Sequence, residues 1–75
     1  MSAEKLDLSG VPCPANAARA LMRLEGMDGG ATLEITLDDG EPVENLPPAL
    51  RQEGHTIIGK RREGAKWVIT ARKSQ

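Results

Sequence analysis

The 75-residue chain has no phenylalanine, no tyrosine and one tryptophan, Trp67. A single ring cannot build the stacking platform on which single-stranded nucleic acids lay successive bases. One cysteine, Cys13, cannot form an internal disulfide, which excludes a disulfide-framed secreted scaffold. One histidine and one cysteine cannot close a zinc site without carboxylate help, so no metal is expected. No uninterrupted apolar run approaches the roughly 20 residues that span a bilayer, and no membrane partner is expected. The opening residues Met1 to Lys5 lack the apolar segment of a secretory signal. A net charge of −1 argues against nucleic-acid binding driven by overall charge. A small globular domain is left, expected in the cytoplasm.

Leu, Ile and Val number 8, 4 and 3, a fifth of the chain. That share borders on disorder only where net charge is high, which it is not here. A chain this short buries only about 60% of its unfolded surface, so a small, lightly packed domain is expected. It should span residues 1–75, with an ordered core over about 5–72 and frayed ends at 1–4 and 73–75.

Lys5-Leu6-Asp7-Leu8 alternates polar and apolar, the period of a half-buried strand. Ser9-Gly10-Val11-Pro12 breaks it. Pro14 to Glu25 reads as a helix, with Ala17, Ala20, Leu21 and Leu24 on one face and Arg19 and Arg23 off it. Pro14 suits a first helical turn, and Gly26 a helix end. Asp28-Gly29-Gly30 turns the chain. Thr32 to Leu37 then alternates cleanly, with Leu33, Ile35 and Leu37 on one face. Val43 to Glu53 reads as a weaker helix. Pro47 and Pro48 lie inside it and predict a kink or a late start near Leu46. His55 to Arg61 and Lys66 to Arg72 form a hairpin around Glu63-Gly64, with Ile57 and Ile58 anchoring its first strand. Trp67, Ile69 and Ala71 share a face of its second strand. The fold class is therefore α/β, a two-layer sandwich of order βαβαββ. Its four-stranded mixed sheet carries both helices on one face and leaves Lys5, Asp7, Thr32, Glu34 and Thr36 on the wet face.

Cys13 falls between the first strand and the first helix, within Gly10-Val11-Pro12-Cys13-Pro14-Ala15-Asn16. A helix start presents unpaired N–H groups and about half a positive charge, which favours a sulfur anion. The flanking prolines hold the backbone, and with it the sulfur. The competing reading is a small buried thiol packed under the helix.

The run Leu8-Ser9-Gly10-Val11-Pro12-Cys13-Pro14 resembles the opening of the TusA/SirA-like sulfur-carrier family, whose signature is Cys-Pro-x-Pro at the start of the first helix. The resemblance continues through Gly26-Met27, Gly30-Ala31-Thr32-Leu33, Asp38-Asp39, Leu46-Pro47 and the closing Gly54-His55 and hairpin. It covers nearly the whole chain and implies the same βαβαββ order. It further implies that Cys13 accepts sulfane sulfur as a persulfide from a cysteine desulfurase or similar donor protein. Cys13 then relays the sulfur to an acceptor protein, for example toward tRNA thiolation. Such a chain is a persulfide carrier more than a multiple-turnover enzyme, needs no cofactor, and works as a monomer.

One position departs from the signature, because Asn16 replaces its second proline. Either the motif is eroded, or the donors that Asn restores, its backbone N–H and its side-chain amide, reach the Cys13 sulfur. Gly10, Pro12, Pro14 and Asn16 are thus the expected loop-shaping residues. Arg19, Arg23 and the run Lys60-Arg61-Arg62 are candidates for docking acidic partner surfaces. The bland reading of that run is solvated charge guarding an edge strand. Asp38-Asp39 with Glu41 and Glu44 reads as solvated turn and helix-start charge. His55 reads as a boundary residue and not as a base for Cys13. Trp67 reads as core, partly covered. The alternative function is a non-catalytic regulatory, RNA-binding or protein-binding module with Cys13 incidental. A redox switch through a Cys13–Cys13 dimer ranks below it.

Overall fold

The computed structural model describes residues 4–74. They form β1 (Glu4–Asp7), α1 (Ala15–Glu25), β2 (Thr32–Asp38), α2 (Glu41–Gln52), β3 (Thr56–Glu63) and β4 (Lys66–Arg72). The sheet order is β1-β2-β4-β3, with β1 parallel to β2 and the other two pairings antiparallel. The mixed four-stranded α/β sandwich follows from the hydrophobic periodicity, and the element order matches it.

Leu33, Ile35 and Leu37 of β2 are fully buried. They stand opposite Ala71, Ile69 and Trp67 of β4 on the helix-covered face. Ala20 and Leu24 of α1 pack into the same core, as do Val43, Leu46 and Leu50 of α2. Burying a Leu or Ile side chain fully stabilises by about 1.5–3 kcal/mol, so this one stripe per element holds the two layers together. Glu34, Thr36 and Lys5 share the opposite face with Val68, which is buried although no helix covers it.

Three expectations are corrected. α2 starts at Glu41 and runs through Pro47 and Pro48 without the late start near Leu46. The two prolines leave the Val43 and Glu44 carbonyls without their usual partners. Val43, Leu46, Pro47 and Leu50 nevertheless all face inward and are buried, and this packing keeps the helix in place. Pro42 also presets its first turn. The second correction is Ile58, expected beside Ile57 as an anchor. The β3–β4 register skips between Ile57 and Gly59, so Ile58 is the extra residue of a bulge and is half exposed. Ile57 alone packs on the core.

The third correction concerns the ends. Glu4 belongs to β1 and pairs with Arg23 at 2.9 Å. Lys73 exchanges backbone hydrogen bonds with Gly30 and Ala31, and the Ser74 N–H donates to His55 Nδ1 at 3.1 Å. Residues 1–3 and 75 of the expected frayed ends lie outside the described residues. Neither helix is long and apolar enough to cross a membrane.

Candidate functional site

β1 hands over to α1 through a short loop that begins as a continuation of the sheet. The Leu8 N–H donates to Thr36 O at 2.9 Å, and the Val11 N–H turns back to Leu8 O at 3.1 Å. Gly10 is the third residue of this turn and has φ +77°. A type II turn demands that left-handed value at its third residue, which is why glycine stands there. Asp7 accepts both the N–H and the hydroxyl of Ser9, and these bonds hold its carboxyl below the ordinary carboxylate range. From the neighbouring strand end, Asp38 accepts the Gly10 N–H at 2.7 Å and Lys66 Nζ at 2.7 Å. Its carboxyl is lowered first by Lys66 and then by Gly10. The loop is thus tied to β2 and, through Lys66, to β4.

Cys13 follows this turn and is exposed. Pro14 is the N-cap residue of α1, and the Cys13–Pro14 peptide bond is cis. Asn16 is buried, with 1% of its surface exposed. Its Nδ2 donates to Cys13 Sγ at 3.2 Å, and its Oδ1 accepts the Ala17 N–H at 2.6 Å. The Asn16 backbone N–H turns instead to Pro12 O at 3.0 Å, and the Ala18 N–H to Pro14 O at 3.2 Å. The expected convergence of helix-start N–H groups on the sulfur is therefore corrected. Local carbonyls and the Asn16 side chain take the Asn16, Ala17 and Ala18 donors. The donor that meets the sulfur is the Asn16 amide.

The docking candidates separate. Arg19 is exposed on α1 one turn beyond Asn16. Arg23 lies about 12 Å of helical rise beyond the start of α1 and pairs with Glu4, away from Cys13. Arg61 bridges Glu63 and Glu34 on the sheet face that α1 and α2 leave uncovered, and these carboxylates, Glu63 first, raise its already high pKa. Lys60 and Arg62 flank Trp67, with charges 4.8 and 5.3 Å from the ring centroid. The strand directions place the β3–β4 turn at the same end of the sheet as the Cys13 loop. His55 lies at the other end.

The sequence reading missed the roles of Asp38 and Asp39. Asp39 accepts the Trp67 Nε1–H at 2.8 Å and faces Arg62 at 3.8 Å. The Trp67 bond is the main reason its carboxyl is lowered. Two carboxylates closing a strand beside a loop of free N–H groups were the available signal. Among the described residues, no three of His, Cys, Asp and Glu converge on a metal position.

Known proteins similar to this chain identify its family and its fold. A family model described as sulfurtransferase TusA matches residues 4–73. The chain belongs to the TusA family. The sulfur carrier protein TusA of Allochromatium vinosum is 30% identical over 71 residues, covering 95% of this chain and 93% of that protein. A candidate sulfur carrier protein of Archaeoglobus fulgidus is 32% identical over 71 residues, covering 93% of this chain and 81% of that one. The crystal structure of a SirA-like protein from Desulfitobacterium hafniense superposes with a TM-score of 0.78. It covers 95% of this chain and 97% of its own at 19% identity, which bears on the fold. The TusA/SirA-like resemblance of the sequence and the four-stranded fold are therefore established.

Proposed function

We propose that this chain is a cytoplasmic sulfur carrier in which Cys13 holds the cargo as a persulfide. The single observation that carries this reading is an exposed cysteine at the start of α1 with a buried amide on its sulfur, in a chain of the TusA family. The Cys13 thiolate attacks the outer sulfur of a donor persulfide, and the donor cysteine leaves as its own thiolate. An acceptor thiol later removes the outer sulfur in the same way. The sulfane sulfur passes along unchanged, so no cofactor or outside oxidant is required.

The donor is a cysteine desulfurase or a similar protein, and the acceptor leads, for example, toward tRNA thiolation. The chain acts as a monomeric unit over residues 1–75, a size that lets two partners dock in turn. Gly10, Pro12, Pro14 and Asn16 shape the loop. Arg19, Lys60 and Arg62 are the cations best placed to steer acidic partner surfaces toward it. Direct nucleic-acid binding is not part of this reading.

The test is to incubate the chain with a cysteine desulfurase and cysteine, then record the intact mass. The expected result is an added mass of one sulfur atom, absent in Cys13→Ser. No adduct on a folded wild-type chain would replace the carrier with a binding module on the same fold.

A further inference from the structure

Asn16 occupies the position where the sulfur-carrier signature has a proline, a residue with no donor at all. Its side chain is polar and 1% exposed. A carboxamide has one accepting and one donating end. Because Oδ1 is taken by the Ala17 N–H, the donating end is the one turned to Cys13 Sγ. The amide is out of water, and its bond to the Ala17 N–H holds its donating end on Cys13 Sγ.

The empty and loaded carriers differ in where the charge sits. In the empty thiolate the negative charge is on Sγ. In the loaded carrier Sγ is the bridging sulfur, and any charge is on the outer atom. A hydrogen bond to an ionised acceptor is about twice as strong as one to a neutral acceptor. The Asn16 amide therefore stabilises the empty state more than the loaded one.

We infer that Asn16 is a hydrogen-bond donor to the leaving sulfur and sets this carrier toward release of its cargo. The inference rests on the carrier reading above. In the release step an acceptor thiolate, R–S⁻, attacks the outer sulfur of Cys13–Sγ–SH. The R–S–SH bond forms as the Sγ–S bond breaks, the bonding pair goes to Sγ, and the proton stays on the transferred sulfur. Charge grows on Sγ where the Asn16 N–H already points. A better-stabilised thiolate is a better leaving group and a weaker nucleophile, so release gains and capture loses.

Cyanide tests the step without any docking surface, because it attacks the outer sulfur, leaves as thiocyanate and expels the same Cys13 thiolate. Wild type, Asn16→Asp and Asn16→Ala are loaded with a desulfurase and cysteine, separated from it, and mixed with cyanide at one pH. Asn16→Asp keeps the size and the acceptor for Ala17. It places a carboxylate near the start of α1, where the helix dipole offsets part of the cost of burying it, and when ionised it has no donor for the sulfur.

Both variants should release sulfur roughly ten- to a hundredfold more slowly, the scale of one hydrogen bond to a charged group. Urea unfolding should show both variants folded but less stable than wild type, Asn16→Asp because it buries a carboxylate and Asn16→Ala because it loses the acceptor for Ala17. Release is compared on the folded chains, so a slowing shared by both follows the donor they lack and not the fold. Alkylation of the empty thiol at about pH 10, where thiols are ionised, should be at least as fast in Asn16→Asp as in wild type, showing that the sulfur is still reachable. Wild-type release from Asn16→Asp overturns the inference and leaves the carrier reading standing. Slow release from Asn16→Asp with wild-type release from Asn16→Ala also overturns it, since charge repulsion would then be the cause. A folded wild-type chain that never loads overturns both.

Discussion

At one end of the sheet, main-chain hydrogen bonds and a buried histidine close the fold. At the other, side chains hold an exposed loop. At the closed end the Gly30 N–H meets Lys73 O at 3.0 Å, the Lys73 N–H meets Ala31 O at 2.8 Å, and His55 accepts the Ser74 N–H. Lys73 Nζ also reaches Leu24 O at 2.7 Å, satisfying a carbonyl in the last turn of α1. At the open end Gly10 depends on the Asp38 carboxylate, and Trp67 on Asp39. Backbone pairing is repeated and has no titratable partner. Carboxylate ties are single, exposed and lost on protonation. The first arrangement suits an end that only has to stay shut; the second suits, on the proposed carrier function, an end that presents a sulfur to a donor and an acceptor.

The largest effect that would break this contrast belongs to the closed end. His55→Ala should cost about 1–2 kcal/mol in urea unfolding, because it removes buried packing and the acceptor for Ser74. Sulfur loading on Cys13 should proceed at the wild-type rate. Loss of loading in a folded His55→Ala chain would mean that the two ends are coupled.

A smaller effect is expected at the open end. Asp38→Asn keeps the shape but weakens the ties to Gly10 and Lys66. Amide hydrogen exchange at Gly10 should accelerate severalfold while exchange at Lys73 stays unchanged. Equal acceleration at both would show the sheet opening as one unit.

The smallest effect is in acid. Asp38 and Asp39 have lowered folded-state pKa values, so their contribution to stability is complete above the ordinary carboxylate value of about 3.9. It is lost as the pH falls below that value and through the folded ones. Trp67 emission should therefore begin to change only below about pH 4, and Asn in place of Asp39 should abolish the change. A transition at higher pH would mean that Asp39 is not lowered in the folded chain.

Much of this was legible along the chain. The alternation of Leu33, Ile35 and Leu37 predicts β2, and the Ala20–Leu24 spacing predicts the inner face of α1. Gly10 marks a turn, and Cys13 falls where a helix starts. What failed did so for tertiary reasons. Pro47 and Pro48 argue locally against a helix that burial of their own neighbours sustains. Ile58 is as apolar as Ile57, but a bulge that depends on the pairing with β4 turns it outward.

Periodicity and turn chemistry act between residues a few positions apart, so they decide which segments coil and which extend, and they place one cysteine at the mouth of the first helix. The bond from Asp38 to Gly10 spans 28 positions, and that from Trp67 to Asp39 spans 28 as well. No local rule couples residues so distant. Their meeting depends on β2 lying between β1 and β4, an order that only the packed sheet supplies. The amide of Asn16 is the intermediate case. It stands three positions from Cys13, near enough to be suspected from spacing. Burial of its own side chain and the bond to Ala17 decided that its donor, and not its oxygen, faces the sulfur.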